Sequence, residues 1–278
     1  MKAFDSYTIN VRGQLIDLST PQVMGILNCT PDSFYAGSRV ETEEAIARRA
    51  NRIVEEGGTF IDVGAFSTRP GANEVSEEEE TARLRTAIAI VRREQPHTPI
   101  SVDTFRPTVA RICVEEFGAD IINDVSEGGI TGIAGRPLGD VGDMFAMVAR
   151  LGVPYILMSV KSTIEEMMTA FAGEVQRLRD LGAKDIILDP GFGFGKTMEQ
   201  NYAILRRLNL LNELGLPVLA GASRKSMIWK LVGGNPTTAL NGTTVVNTLA
   251  LERGASILRV HDVKEAVEVV KMVNQLNK

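Results

Sequence analysis

IILDPGFGFGK, Ile186–Lys196, is where the chain declares its architecture. Three apolar residues run into Asp189, and Pro190 then interrupts, since proline has no backbone donor with which to extend a strand. Gly191, Gly193 and Gly195 alternate with Phe192 and Phe194 before Lys196. A short apolar run that ends in a carboxylate and a glycine-rich turn reads as a buried strand carrying a functional group at its end. The glycines allow backbone to approach a ligand closely. A P-loop reading of Lys196 is weak, because Gly191 to Gly195 is one residue short of GxxxxGK[ST].

The same unit repeats outward in both directions. Apolar runs at 23–28, 59–64, 100–103, 120–124, 154–158, 185–189, 217–221 and 256–261 read as strands. Helical patterns fall near 41–56, from Ser76, from Pro107, over 143–151, between 158 and 185, and from Val263 onward. Ser76 with Glu79 is a capping-box signature. Gly57, Gly118, Gly182 and Gly254 stand where helix C-cap glycines belong. Residues 126–139 are glycine-rich and aperiodic, an excursion from the repeat.

Eight strands alternating with helices specify parallel βα units, and 278 residues suit an α/β (β/α)8 TIM barrel. An open doubly wound sheet fits less well, since no GxGxxG follows the first strand. Residues 4–18 alternate around Gly13 and predict a β-hairpin before the barrel. With no linker or repeat visible, one domain over 1–278 is expected. A formal net charge of −5 disfavours nucleic acid as partner. No apolar run reaches membrane-spanning length and the N-terminus lacks a signal-peptide core. Two cysteines are too few for a disulfide framework. A cytoplasmic location is the default expectation.

In such a barrel the strand C-termini form the active face. Asn28, Asp103, Asn123 with Asp124, Asp189, and Arg259 with His261 end strands, and Ser223, Arg224 and Lys225 follow the seventh. Amides and carboxylates suit the edge of a flat polar heterocycle. Lys225, Arg259 and His261 can hold a phosphate. Asp103 and Asp189 as a glycosidase-like acid pair is less apt than recognition of ring nitrogens. His97 precedes the third strand, at the opposite face, and reads as structural.

Taken together, MGILNCTPDSF (24–34), STRPG (67–71), SVDT (101–104), GADIINDVS (118–126), LDPGFGFGKT (188–197), SRKS (223–226) and RVHDV (259–263) resemble the dihydropteroate synthase family. The resemblance implies a pterin-binding barrel in which 4-aminobenzoate displaces diphosphate from a dihydropterin methyl diphosphate. It also implies Mg²⁺, with Asn28 as metal and diphosphate ligand. It places pterin recognition on Asp103, Asn123, Asp189 and Lys225, and pterin stacking and diphosphate on Arg259 and His261. Thr68, Arg69 and Pro70 match a second substrate loop, with Arg69 acting in catalysis. Ser223 matches the aminobenzoate carboxylate contact, and Phe194 an aromatic of the sixth-strand loop. A sulfonamide target and a homodimer are expected on the same ground.

Three stretches depart from the usual family pattern. DSFSDGG is here DSFYAGS, with Ala36 for the second aspartate. GGEST is here GAFST, with Phe66 for the acid. Met-His-Met is here Met158-Ser159-Val160. Loop closure is therefore expected to draw on apolar contact from Phe34, Phe66 and Phe194. A pterin- or folate-binding paralogue with little synthase activity is the alternative function. A corrinoid-linked methyltransferase pterin domain is the third reading. Retention of Ser223-Arg224-Lys225 and Arg259-Val260-His261 favours the synthase over both.

Overall fold

The structure is a computed structural model that describes residues 7–29, 39–66, 75–129 and 143–278. A hairpin, β1 (Thr8–Val11) and β2 (Gln14–Asp17), comes first. The barrel strands are β3 (Gln22–Asn28), β4 (Phe60–Gly64), β5 (Ile100–Asp103), β6 (Ile121–Asp124), β7 (Tyr155–Met158), β8 (Ile186–Asp189), β9 (Leu219–Ala220) and β10 (Ile257–Val260). They form one parallel sheet in the order β8-β7-β6-β5-β4-β3-β10-β9. A single bridge, Leu188 to Val218, joins its two ends and closes the barrel.

The helices are α1 (Arg39–Glu55), α2 (Glu77–Glu94), α3 (Pro107–Glu115), α4 (Met144–Leu151), α5 (Ile164–Asp180), α6 (Met198–Arg206), α7 (Ser226–Trp229), α8 (Leu240–Glu252) and α9 (Val263–Leu276). The glycines at 57, 118, 182 and 254 have φ of 94°, 75°, 101° and 85°, the left-handed conformation that ends a helix. Ser76 caps α2 by accepting from the Glu79 amide at 3.2 Å. The reciprocal half of the box is replaced, because the Glu79 carboxylate pairs with Arg83. Full boxes occur instead at Thr163 with Glu166 and at Thr197 with Gln200.

The pleat decides what faces inward. Successive strand residues alternate sides, so Ile61, Val63, Val102, Ile122, Leu157 and Leu188 pack outward against the helices. Met24, Phe60, Ile121, Ile156, Ile187, Leu219 and Ile257 fill the lower barrel. Ile9, Val11 and Leu18 of the hairpin segment join that inner cluster. The hairpin therefore plugs the bottom, and Arg12 ties it to Asp120 at 2.8 Å. His97 contributes a backbone carbonyl to the same end, accepting from Arg12.

One strand is shorter than its sequence suggests. Residues 217–221 read as a strand, yet only Leu219 and Ala220 form one. Pro217 has no N–H to give, and its carbonyl accepts from Leu188 N at 2.9 Å. The stretches after β8 and β9 are broken into shorter helical pieces by 3-10 turns at Leu208–Leu214 and Pro236–Thr238.

Candidate active site

One residue along each inward row from the apolar plug, the barrel interior turns polar. Asp62 from β4, Ser101 and Asp103 from β5, Asn123 from β6, Asp189 from β8 and Arg259 from β10 point into the same space. Arg259 is the hub. Its Nε donates to Asp62 Oδ2 at 2.6 Å and its Nη2 to Asp103 Oδ2 at 2.9 Å. Burial disfavours the guanidinium charge, but Asp62 and Asp103 together hold it above its ordinary pKa. Asp103 is pushed upward by burial, with the Asp62 charge adding and Arg259 opposing. Asp189 is likewise raised by burial, against the pull of Lys225 and the Gly191 amide.

Asn123 donates through Nδ2 to Asp62 at 3.2 Å. Its Oδ1 is buried and has no hydrogen-bond partner among the described residues. Asp189 Oδ1 accepts from Gly191 N at 2.7 Å, and its Oδ2 lies 3.8 Å from where a Cβ on Gly221 would sit. The pocket thus presents acceptors backed by one fixed cation.

The glycine-rich loop after β8 is shaped by two lysines. A Cβ on Gly191, whose φ is 63°, would collide with the Ser159 carbonyl. Lys196 Nζ donates to the carbonyls of Ser159 (2.9 Å), Gly191 (3.0 Å) and Phe194 (3.2 Å). It staples the loop, its three donors taken by backbone carbonyls. A Cβ on Gly193 would come 2.9 Å from Lys225 Cδ, so glycine there makes room for that side chain. Lys225 Nζ donates to the Phe192 carbonyl and lies 4.4 Å from the centre of the Phe194 ring. Burial pulls the Lys225 ammonium down to about 7, with Asp189 resisting.

Ser223 and His261 meet across the seventh and eighth strand ends. The His261 amide donates to Ser223 Oγ at 3.1 Å, and Oγ is 3.2 Å from His261 Nδ1. Burial, helped by the Arg259 charge, lowers His261 to about 4. Arg224 is held by Asp262 through two bonds of 2.8 and 2.7 Å. Asn28 is exposed at the end of β3.

Two expectations need correction. Asp124 does not share the mouth with Asn123. Adjacent strand residues face opposite sides, and Asp124 accepts from Tyr155 Oη at 2.6 Å and from the amides of Ser126 and Gly128 at 2.8 Å. Lys225, Arg259 and His261 are not three equivalent cations for a phosphate, because Arg259 is committed to two carboxylates and His261 is neutral near pH 7. Phe66 sits edge-on to Phe105 with centroids 5.2 Å apart and near the Arg106 guanidinium. Thr68, Arg69, Pro70, Phe34 and Ala36 lie outside the described residues.

Sequence reasoning missed Asp62 and Arg49. Asp62 stands inside β4, not at its end. A carboxylate in the otherwise apolar run Phe60–Gly64 was the available signal. Arg49 Nε donates to the Ile26 carbonyl at 3.0 Å and Nη2 to the His261 carbonyl at 2.8 Å, joining β3 to the exit of β10.

His261 gives a direct electrostatic test. In the unfolded chain it titrates near 6.5, and in the folded protein near 4. Between those values the unfolded state binds more protons, so this contribution to stability is present above about 6.5 and is lost as pH falls toward 4. Of the two histidine ring resonances, assigned with His97→Gln, the His261 signal should not titrate until well below pH 6. Saturating inorganic diphosphate should move its midpoint upward, since an anion favours the imidazolium. A midpoint at 6.5 with and without diphosphate would refute the assignment.

Known proteins resemble this chain along nearly its whole length. The family model described as pterin binding enzyme matches residues 24–261. The dihydropteroate synthase of Escherichia coli K12 is 41% identical over 278 residues, covering 94% of each chain. That of Bacillus subtilis 168 is 37% identical over 265 residues, covering 92% of this chain and 89% of its own. A solved Xanthomonas albilineans dihydropteroate synthase with 4-aminobenzoic acid superposes with a TM-score of 0.86 at 37% identity, covering 98% of both chains. The same organism's enzyme in complex with 7,8-dihydropteroate gives 0.84 at 34% identity, covering 98% of this chain and 99% of that one. With that barrel, that polar interior and these relatives, the chain belongs to the dihydropteroate synthase family of pterin-binding enzymes.

Proposed function

We propose that this transferase condenses 4-aminobenzoate with (7,8-dihydropterin-6-yl)methyl diphosphate, giving 7,8-dihydropteroate and diphosphate for folate synthesis. The observation that carries the reading is the acceptor set of Asn123 Oδ1, Asp189 and Asp103, closed on one side by Arg259. A pterin edge is rich in N–H donors, and carboxylates accept such bonds more strongly than neutral groups do. Lys225 lines the same pocket above Gly193 and Phe194. The related structures bound to 4-aminobenzoic acid and to dihydropteroate support the substrate pair.

The residues divide the work. Asp189 and Asn123 fix the ring. Asp103 and Arg259 flank it, and the neighbouring carboxylates favour positive charge developing on the methylene as diphosphate departs. Neutral His261 donates a hydrogen bond to the leaving group and gains basicity as negative charge grows there. Ser223 receives the aminobenzoate carboxylate, with Phe194 along the aryl ring. Thr68, Arg69 and Pro70 belong to the loop assigned to cover the second substrate.

Magnesium fits the donor set. Among the described residues no three acidic, histidine or cysteine side chains converge as a metal cage. Magnesium needs no cage, since it is commonly held by one or two protein oxygens plus phosphate and water. Asn28 offers one side-chain oxygen at the exposed end of β3. Asn28 would hold the ion beside the diphosphate, where it would supply neutralisation of the leaving-group charge.

Sulfonamides, as aryl amines bearing an acidic group opposite the amine, compete for the aminobenzoate position. Exposed Leu231, Val232, Val245 and Leu249, at the end of α7 and along α8, supply the apolar surface for a homodimer. Release of diphosphate, coupled to a phosphate readout, tests the function. It should require 4-aminobenzoate, the pterin diphosphate and Mg²⁺ together. Binding of the pterin diphosphate with no release of diphosphate when all three are present would favour the paralogue reading instead.

A further inference from the structure

Asp62 is fully buried, and among the described residues its carboxylate oxygens are met by donors. Oδ1 accepts from Ser101 Oγ at 2.6 Å. Oδ2 accepts from Arg259 Nε at 2.6 Å. Both oxygens receive the Asn123 amide nitrogen, at 3.4 and 3.2 Å. An ionised carboxylate has acceptors only, so the amide of Asn123 has one permitted orientation. Its nitrogen must face Asp62, and its oxygen must face away. That oxygen is buried and has no hydrogen-bond partner among the described residues. A buried acceptor left unpaired costs more than a typical hydrogen bond gives, so the free pocket is built to receive a donor at this point.

We infer that Asp62 is a positioning residue which sets the hydrogen-bond polarity of the pocket: by locking the Asn123 amide it obliges the ligand to present an N–H there. The inference deepens the proposed pterin reading and rests on it for the identity of the ligand. The lock itself exists in the free protein. Asp62 also fixes Arg259 through Nε, leaving the outer guanidinium nitrogens directed by that anchor. Neither effect requires Asp62 to touch the substrate.

Asp62→Asn removes the constraint. An asparagine at 62 can donate to Asn123 Oδ1, so the Asn123 amide can turn and offer its NH₂ to the ligand. Three probes read this by calorimetry: 6-hydroxymethyl-7,8-dihydropterin, its 2-desamino analogue, and the oxidised pterin, in which N8 is an acceptor. The unmodified protein should discriminate at least about 30-fold against the analogue that lacks the donor facing Asn123, because sites built to hydrogen-bond reject the analogue strongly. In Asp62→Asn that ratio should fall to about three-fold or less, while the ratio for the other analogue is kept. A merely structural role would weaken all three probes alike, and unchanged or uniformly weakened ratios overturn the inference.

The second measurement uses no variant at position 62. The Asn123 side-chain NH₂, observed with ¹⁵N-asparagine and assigned with Asn123→Ser, should exchange with solvent at least about 100-fold more slowly than exposed asparagine amides. Exchange at the exposed rate overturns the lock even if Asp62→Asn fails to fold. Failure of every probe to bind the unmodified protein would refute the pterin reading, while slow exchange would still uphold the lock.

Discussion

Asp189→Asn is expected to raise the Kd for 6-hydroxymethyl-7,8-dihydropterin at least about 100-fold while shifting Tm by no more than about 3 °C. The carboxylate is almost fully buried, and burial already pushes its pKa upward. Replacing a buried charge by a neutral amide therefore costs the fold little. The Gly191 amide, now bonded to Oδ1 at 2.7 Å, can bond to the asparagine oxygen instead. Binding has no such substitute. An asparagine places a donor where the pterin also donates, and charge-assisted bonds of about 1.5–3 kcal/mol each are lost. Calorimetry and a melting curve on the same sample check both halves. An unchanged Kd would remove Asp189 from the pocket, and a large fall in Tm would make it a structural group.

Arg259→Met should do the opposite and damage the fold as well as the reaction. The guanidinium is the only cation paired with Asp62 and Asp103 among the described residues. Removing one partner of a buried ion pair strands the other and typically costs about 3–5 kcal/mol. For a chain of this size that corresponds to roughly a 10 °C loss in Tm. The sign of its pH dependence is fixed. Without Arg259 the Asp103 carboxyl, already raised by burial, loses the cation that opposes the rise, so the folded state binds more protons than the unfolded one near neutrality, and stability increases as pH is lowered. Asp62→Asn combined with Arg259→Met should recover part of the lost Tm. A single variant as stable as the parent at pH 7.5 would show the pair to be unimportant for folding.

The barrel was readable because its signals are local. Each short apolar run is followed by helical periodicity, and glycines at 57, 118, 182 and 254 punctuate the return. Asp103 and Asp189 were legible because they close their strands. Asp62 was not, since its role depends on Asn123, 61 residues away, and Arg259, 197 away. Asp124 was misplaced for want of the period of two that separates it from Asn123. Helix α8 carries glycine and threonines with apolar residues on several sides, a weak period that only packing organises. The half-formed box at Ser76 shows the same limit, because Arg83 competes for the Glu79 carboxylate.

The seam between β8 and β9 bears on how the molecule breathes. Elsewhere the barrel is laced by runs of backbone pairs, but here a two-residue strand and one bridge complete the ring. Asp189 ends the strand on one side of that gap, and Ser223 and Lys225 follow the strand on the other. A ligand held by both sides acts as a cross-brace where the backbone supplies least. Occupancy then suppresses the opening fluctuations most readily available to the ring, and stabilisation grows with the logarithm of ligand concentration. On the proposed reading the place of least backbone pairing and the place of recognition coincide, and bound substrate would finish the cylinder.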